Sequence, residues 1–325
     1  MSGLFENLSK KVLGKNIKIV FPEGEDVRVQ KAAIRLKQKK LLVPILLGNK
    51  KAIFQRSYQN KLDLSGIKII DPKKFPLNLY KSFVSRMVKR RNGKISLTDA
   101  KKRLLNVSYF GIMLLYTGRV DGMVSGAIHS TADTLKPALQ IIKTDKESKR
   151  VSSSFLLIKG DKKYLFADPA VNIKVDSNLL VEITRQTIKM AKSLQIEPKV
   201  ALLSFSTKGS AKDENVDKVM KATKKAKVLM PSEKIDGELQ FDAAIDPGVA
   251  KIKASQSKVA GLANVFIFPN LDAANIGYKI AQRLGKFEAI GPLLQGLGKP
   301  VNDLSRGSNS EDIYKLSIIT ASETL

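Results

Sequence analysis

Two short segments carry residue types that could do chemistry on an anion. The first, DGMVSGAIHSTADTLKPALQIIKT at 121–144, holds the only histidine of the chain, His129, followed by Ser130, Thr131 and Asp133. An imidazole titrates near neutrality and can serve as acid or base. Hydroxyls at a helix start either cap the helix or, with its free amides, hold phosphate or carboxylate. Lys136 adds positive charge or is simply solvated. The strand before this helix is expected to end near Ile128, which puts His129 at a strand end, where it is expected mainly to fix the loop.

The second segment is KPVNDLSRGSNSEDI at 299–313. Arg306 offers a planar fork for phosphate, Ser305 a hydroxyl, and Gly307 the freedom for a tight turn. Ser308 and Ser310 are expected to cap the terminal helix, with Glu311 and Asp312 in its first turn. The residue types alone therefore give two anion cradles, and an ordinary capped helix remains open for each.

Other chemistries find little support. The chain has no Cys and one His, which leaves no thiolate nucleophile, and a transition-metal site is not expected. Neither GxxxxGK[ST] nor a GxGxxG after a strand occurs, so a P-loop or nicotinamide site is not expected. Lys+Arg of 57 against Asp+Glu of 30 gives a net charge of +27. The lysines are dispersed and aromatics are 6%, so an anionic small substrate explains the charge better than nucleic acid does. The N-terminal residues lack the apolar run of a secretory signal, and windows such as FGIMLLY are too short to span a bilayer. A cytoplasmic location is expected.

The elements that must position these segments alternate. IKIVF (17–21), LLVPILLG, IKIIDP and DGMVSGAI read as strands with helices between them, 25–38 among those helices. Such alternation implies a mostly parallel sheet covered by helices. Beyond residue 151 two strand-like runs joined by Gly-Asp read as a hairpin, followed by helix 176–194, strand 199–207, a helix around 214–226, strand 264–269 and helix 271–285. The expected organisation is α/β throughout: a first domain of 1–145 completed by 296–325, an inserted second domain of 146–295, and a cleft between them.

The same segments, with FPEGEDVRVQKAA (21–33), DGELQFDAAI (236–245), NVFIFPNLDAANIGYKIAQRLG (264–285) and GPLLQGLGKPVNDLSRG (291–307), closely resemble phosphate acetyltransferases, in collinear order along nearly the whole chain. The resemblance implies acetyl-CoA + phosphate = CoA + acetyl phosphate, with no cofactor besides CoA as substrate and no metal. It implies two α/β domains of isocitrate/isopropylmalate dehydrogenase-like architecture, a homodimer, and a functional link to acetate kinase. By motif, Ser305 and Arg306 hold the phosphate or acetyl phosphate, and Asp312 takes the place of a general base for the CoA thiol. Arg90, in KRRNGK, aligns with an arginine that contacts CoA or substrate. His129, Ser130, Thr131, Lys136, Asn275 and Tyr278 fall in the motifs lining the same pocket.

Departures from the family pattern matter for mechanism. Lys136 stands where arginine is frequent, which keeps charge but loses the bidentate fork. Ser308 stands where cysteine is common, so no acetyl-cysteine intermediate can form and direct transfer in a ternary complex is expected. Leu262 and Asn270 replace a frequent Lys and Asp. Phosphate butyryltransferase is the nearest alternative, and a nucleic-acid-binding protein on the same fold a more distant one.

Overall fold

The computed structural model describes residues 3–325. Residues 1 and 2, counted in the expected first domain, lie outside the described residues. The chain divides into two compact units, Gly3–Glu147 with Leu297–Leu325, and Ser148–Gly296.

The first unit opens with α1 (Gly3–Val12), β1 (Lys18–Phe21), α2 (Val27–Gln38), β2 (Val43–Leu47), α3 (Lys50–Gln59) and β3 (Lys68–Ile70). It continues with α4 (Leu77–Arg90), α5 (Leu97–Arg103), α6 (Val107–Tyr116), β4 (Gly122–Ser125) and α7 (Thr131–Pro137), which runs on into a π turn over Ala138–Ile142. Polar caps set where these helices begin. Asp26, Asn49, Ser96 and Asn106 each accept backbone N–H groups of the first turn of α2, α3, α5 and α6. Hence α2 starts at Val27 rather than at Glu25.

The second unit comprises β5 (Ser152–Lys159), β6 (Lys162–Ala167), α8 (Ser177–Ser193), β7 (Lys199–Leu203), α9 (Glu214–Leu229) and β8 (Lys234–Leu239). It is completed by α10 (Phe241–Ile245), α11 (Pro247–Lys253), β9 (Val265–Ile267), α12 (Leu271–Arg283) and β10 (Glu288–Gln295). The chain then re-enters the first unit as β11 (Val301–Asp303) and α13 (Ser310–Ser322), which packs against α1 and α2.

Strand order in the first unit is β11-β4-β1-β2-β3, parallel throughout. β4 lies between β11 and β1, so the loops leaving the carboxyl ends of these three strands are neighbours although far apart in sequence. That edge of an open parallel sheet is where ligands bind. The second sheet has order β10-β5-β6-β9-β7-β8 and is mixed. β5 and β6 form the hairpin over Gly160-Asp161, with Gly160 at φ 59°, and β10 is antiparallel to β5. Phe155, Phe166, Phe266 and Phe268 anchor its core.

Candidate active site

β4 ends at Ser125, not near Ile128. Gly126 turns the chain at φ 107°, and a Cβ there would come within 2.4 Å of Asp303 Oδ1 and 2.6 Å of the Leu304 amide. Only glycine allows the loop after β11 to approach so closely. The next amides then converge on a side chain from a third loop. Glu23, 3% exposed, accepts Gly126 N (2.9 Å) and Ala127 N (2.8 Å) at Oε2, and Ile128 N (2.8 Å) and His129 N (2.7 Å) at Oε1. The His129 Nδ1 lies 3.0 Å from the same Oε1. Burial pushes the Glu23 carboxyl up, but the imidazole and the amides outweigh it and hold it below its ordinary value. The Glu23 contact in turn raises His129, against the effect of burial.

Of the two readings left open for the start of α7, the structure shows the capped helix. The loop amides before it are already spent on Glu23. The start of α7 is closed by a capping box, in which Ser130 Oγ and the Asp133 carboxylate bond each other and each other's backbone N–H. What the segment still presents is side chains: the exposed edge of His129, the half-buried Thr131, and the exposed Lys136. Thr131 Oγ1 donates to Asp303 Oδ2 at 2.6 Å. Asp303 is fully buried at the end of β11, and burial raises it to about 6 despite the Thr131 hydroxyl.

The loop after β11 is the exposed one. Ser305, Arg306 and Gly307 are all solvent-accessible, and among the described residues no acid pairs with the Arg306 guanidinium. The backbone closes a turn from Ser308 N to Ser305 O at 2.8 Å. Gly307 does not adopt a positive φ, and the nearest atom to an added Cβ is Ser305 Oγ at 3.9 Å. The expected need of the turn for glycine is therefore absent. Its lack of a side chain leaves space beside Ser305 instead.

The cap of α13 is Asn309, not Ser308 or Ser310. Asn309 Oδ1 accepts Glu311 N and Asp312 N, while Asp312 Oδ2 accepts Asn309 N at 2.8 Å. Asp312 is thus half of a capping box as well as the candidate base.

Arg28 ties the loops together. Its Nη2 donates to Ala127 O (2.7 Å), its Nη1 to Arg306 O (3.0 Å) and Ser308 O (2.8 Å), and Asp26 pairs with it. One guanidinium therefore spans the β4 and β11 loops, and Asp26 raises its pKa further. Arg90 binds backbone of its own unit. It donates from Nε to Ile141 O (2.6 Å) and from Nη2 to Ile142 O (2.7 Å), closing the end of the π turn, with Tyr116 beneath it. Asn275 and Tyr278 lie on α12 of the second unit. Asn275 Nδ2 donates to Pro169 O at 3.0 Å, and Tyr278 stacks on Phe155 with centroids 4.1 Å apart.

Three residues at this site have no local signature. Glu23 reads as part of a Pro-Glu-Gly turn, Arg28 as a solvated helix residue, and Asp303 as a polar residue in a short strand. Each matters only because the strand order brings loops together. Among the described residues no group of three or more His, Cys, Asp or Glu is placed to hold a metal, and no helix is long and apolar enough to cross a membrane.

Residues 3–321 match the family described as phosphate acetyl/butaryl transferase. The chain is 52% identical over 325 residues to a phosphate acetyltransferase of Bacillus subtilis (strain 168), covering 100% of both chains. A phosphotransacetylase structure from Streptococcus pyogenes superposes with a TM-score of 0.95 at 53% identity, covering 100% of this chain and 99% of that one. At 12% identity and a TM-score of 0.55, a putative 4-hydroxythreonine-4-phosphate dehydrogenase from Salmonella typhimurium shares the fold alone, over 95% of this chain and 100% of its own.

Proposed function

This chain belongs to the phosphate acetyl/butaryl transferase family, and from that premise we propose that it transfers acetyl between CoA and inorganic phosphate, reversibly. The observation that carries the reading is an exposed arginine, Arg306, with no acid partner among the described residues, beside Ser305 on a loop at the carboxyl edge of a parallel sheet. A guanidinium so placed can clamp a phosphate or acetyl phosphate through two parallel hydrogen bonds.

The chemistry is direct. In one direction the CoA thiolate attacks the acetyl carbonyl of acetyl phosphate, the tetrahedral carbon collapses, and phosphate leaves with the bonding pair. In the other, a phosphate oxygen attacks the thioester carbonyl and the thiolate leaves. With no cysteine in the chain, no acetyl-cysteine lies between them. Holding both partners in line supplies most of the rate, and Arg306 offsets the charge on the phosphoryl oxygens. No cofactor or metal is required.

The thiol, with a pKa of ~8.5, must lose its proton to react well. Asp312 is the base in this scheme, working from the first turn of α13. Asp312→Asn is expected to cut kcat far more than CoA affinity, because asparagine keeps an acceptor for the Asn309 amide. An equal loss in both would make Asp312 a binding residue.

A homodimer is supported by apolar surface on the second unit. There Phe241, Phe268, Ile280 and Phe287 line a cavity of about 370 Å³, and Ile276 and Leu284 beside it on α12 are exposed. Partner enzymes that make or use acetyl phosphate, such as acetate kinase, and a cytoplasmic location complete the reading. The test is release of free CoA from acetyl-CoA on addition of phosphate, followed with a thiol reagent. A rate absent with acetyl-CoA but present with butyryl-CoA would assign the chain to the butyryl branch; no rate with either sinks the reading.

A further inference from the structure

A loop whose consecutive amides point inward at one spot is a nest for a substrate anion. Here that spot is filled by the chain itself. Glu23, from the turn after β1, reaches residues 103–106 positions later in sequence and takes four amides with two oxygens. It also lies 3.0 Å from the buried Nδ1 of His129, a charge contact whose angle falls short of a hydrogen bond. The exposed quarter of the His129 side chain, 26%, is therefore the opposite edge, where among the described residues Nε2 has no partner. Because Arg28 holds Ala127 O and Arg306 O together, that edge and the Arg306 loop belong to one strand-end surface.

We propose that Glu23 is a positioning residue that plugs the 126–129 amide nest and holds His129 with Nε2–H turned out to donate to an oxygen of the transferred phosphate. The inference rests on the phosphate-using reaction proposed above. Two roles follow from one carboxylate. It rigidifies the loop, since the buried amides of Gly126 and Ala127 are expensive to leave unmade and those of Ile128 and His129 are half-buried beside them. Its charge also favours the protonated imidazole, in which both ring nitrogens carry a proton.

The charged groups around the imidazole agree on the sign. Glu23 and Asp133 raise His129 by charge, and burial is the opposing effect. Arg28 lies close enough to Glu23 to be raised by it, and Asp303 is raised by Glu23 in turn. Removing Glu23 leaves burial less opposed, and the imidazolium is lost at a lower pH.

A single histidine makes the test unambiguous, because 13C-labelled histidine gives one Cε1–H resonance from the whole chain. In the intact protein its titration is expected above the ordinary value of 6.5. Inorganic phosphate should move it higher still. In Glu23→Gln it should fall, leaving the imidazolium scarcer at pH 8. Kinetically, the rise in phosphate KM for Glu23→Gln relative to wild type should be about fivefold or more larger at pH 8 than at pH 6. For His129→Asn, with no imidazole to titrate, the ratio to wild type should instead shrink as pH rises. A merely structural role gives the same loss at both pH values.

A wild-type titration at or below 6.5 overturns the proposal even if the Glu23 variant fails to fold. So does a resonance that ignores phosphate, or one that responds to CoA but not to phosphate. The resonance is read without acyl transfer. A protein that binds phosphate at His129 yet releases no CoA would sink the proposed reaction and leave the positioning role standing.

Discussion

Glu23 and Asp168 are alike at first sight: each is a buried carboxylate just past the end of a strand, and each gathers backbone amides. Asp168 follows β6 and binds its own turn, accepting Ala170 N and Val171 N (both 3.2 Å), Asn172 N (3.0 Å) and the Ser153 hydroxyl. Glu23 follows β1 and binds a loop more than a hundred residues away. The first stiffens a local corner of the second unit. The second stitches together loops that only the strand order makes neighbours, next to the exposed Arg306. The same contrast holds for cations. Lys208 and Lys227 of the second unit both pair with the buried Asp236, at 2.7 and 2.6 Å, whereas among the described residues no acid pairs with Arg306 of the first. The buried acid of the second unit has its charge matched by cations of its own unit.

The largest effect should come from the exposed cation. Arg306→Ala is expected to lower kcat/KM for phosphate by about 10²–10³-fold, in KM and kcat together, with thermal stability unchanged. Steady-state kinetics with denaturation curves separate the two, and near-wild-type kinetics would break the comparison at its centre. Asp303→Asn is next. Because burial raises Asp303 to about 6 from an ordinary 3.8, the folded state holds a proton that the unfolded chain has lost. Wild-type stability therefore falls as pH climbs from about 4 to about 6, by on the order of 2–3 kcal/mol, and stays lower above. Asparagine cannot ionise. The stability gap between wild type and variant should close by that amount between pH 4 and 7 in urea melts.

Local order was far more legible than the site. Alternating apolar runs and turn residues placed β1, α8 and the β5–β6 hairpin within a residue or two, because each is decided by its own periodicity and by Gly160-Asp161. The end of β4 was misplaced by about three residues. Ala127 and Ile128 are apolar and strand-like, yet their amides serve Glu23 instead of a ladder. Asn309, rather than a serine, caps α13 for a similar reason. Ser308 is committed to the turn with Ser305, and its carbonyl to Arg28. Ser305 and Arg306 could be picked out because a hydroxyl and a guanidinium sit side by side before a glycine and within the family motif. Glu23, Arg28 and Asp303 could not, since a carboxylate in a turn and an arginine on a helix look solvated until the order β11-β4-β1 is known.

The matched charges of the second unit should behave in the opposite sense and more weakly. Asp236 is 4% exposed; burial pushes it up, but Lys208 and Lys227 outweigh this and bring it to about 2. A depressed acid contributes stability that is complete above pH ~4 and is lost as pH falls through about 2. Screening of the two half-exposed lysines limits it to about 1–2 kcal/mol. Asp236→Asn should cost that much at pH 7, little at pH 2, and nothing in kcat. The pair between Lys253 and Asp242, at 2.8 Å, is the smallest case. Both side chains are more than a third exposed, so water and salt already do most of what the partner does. Asp242→Asn should shift stability by less than ~0.5 kcal/mol at low salt and by nothing measurable at 1 M salt. A larger, salt-resistant loss there would mean that surface ion pairs hold the second unit together. Its charges could then no longer be set apart from those of the first by burial alone.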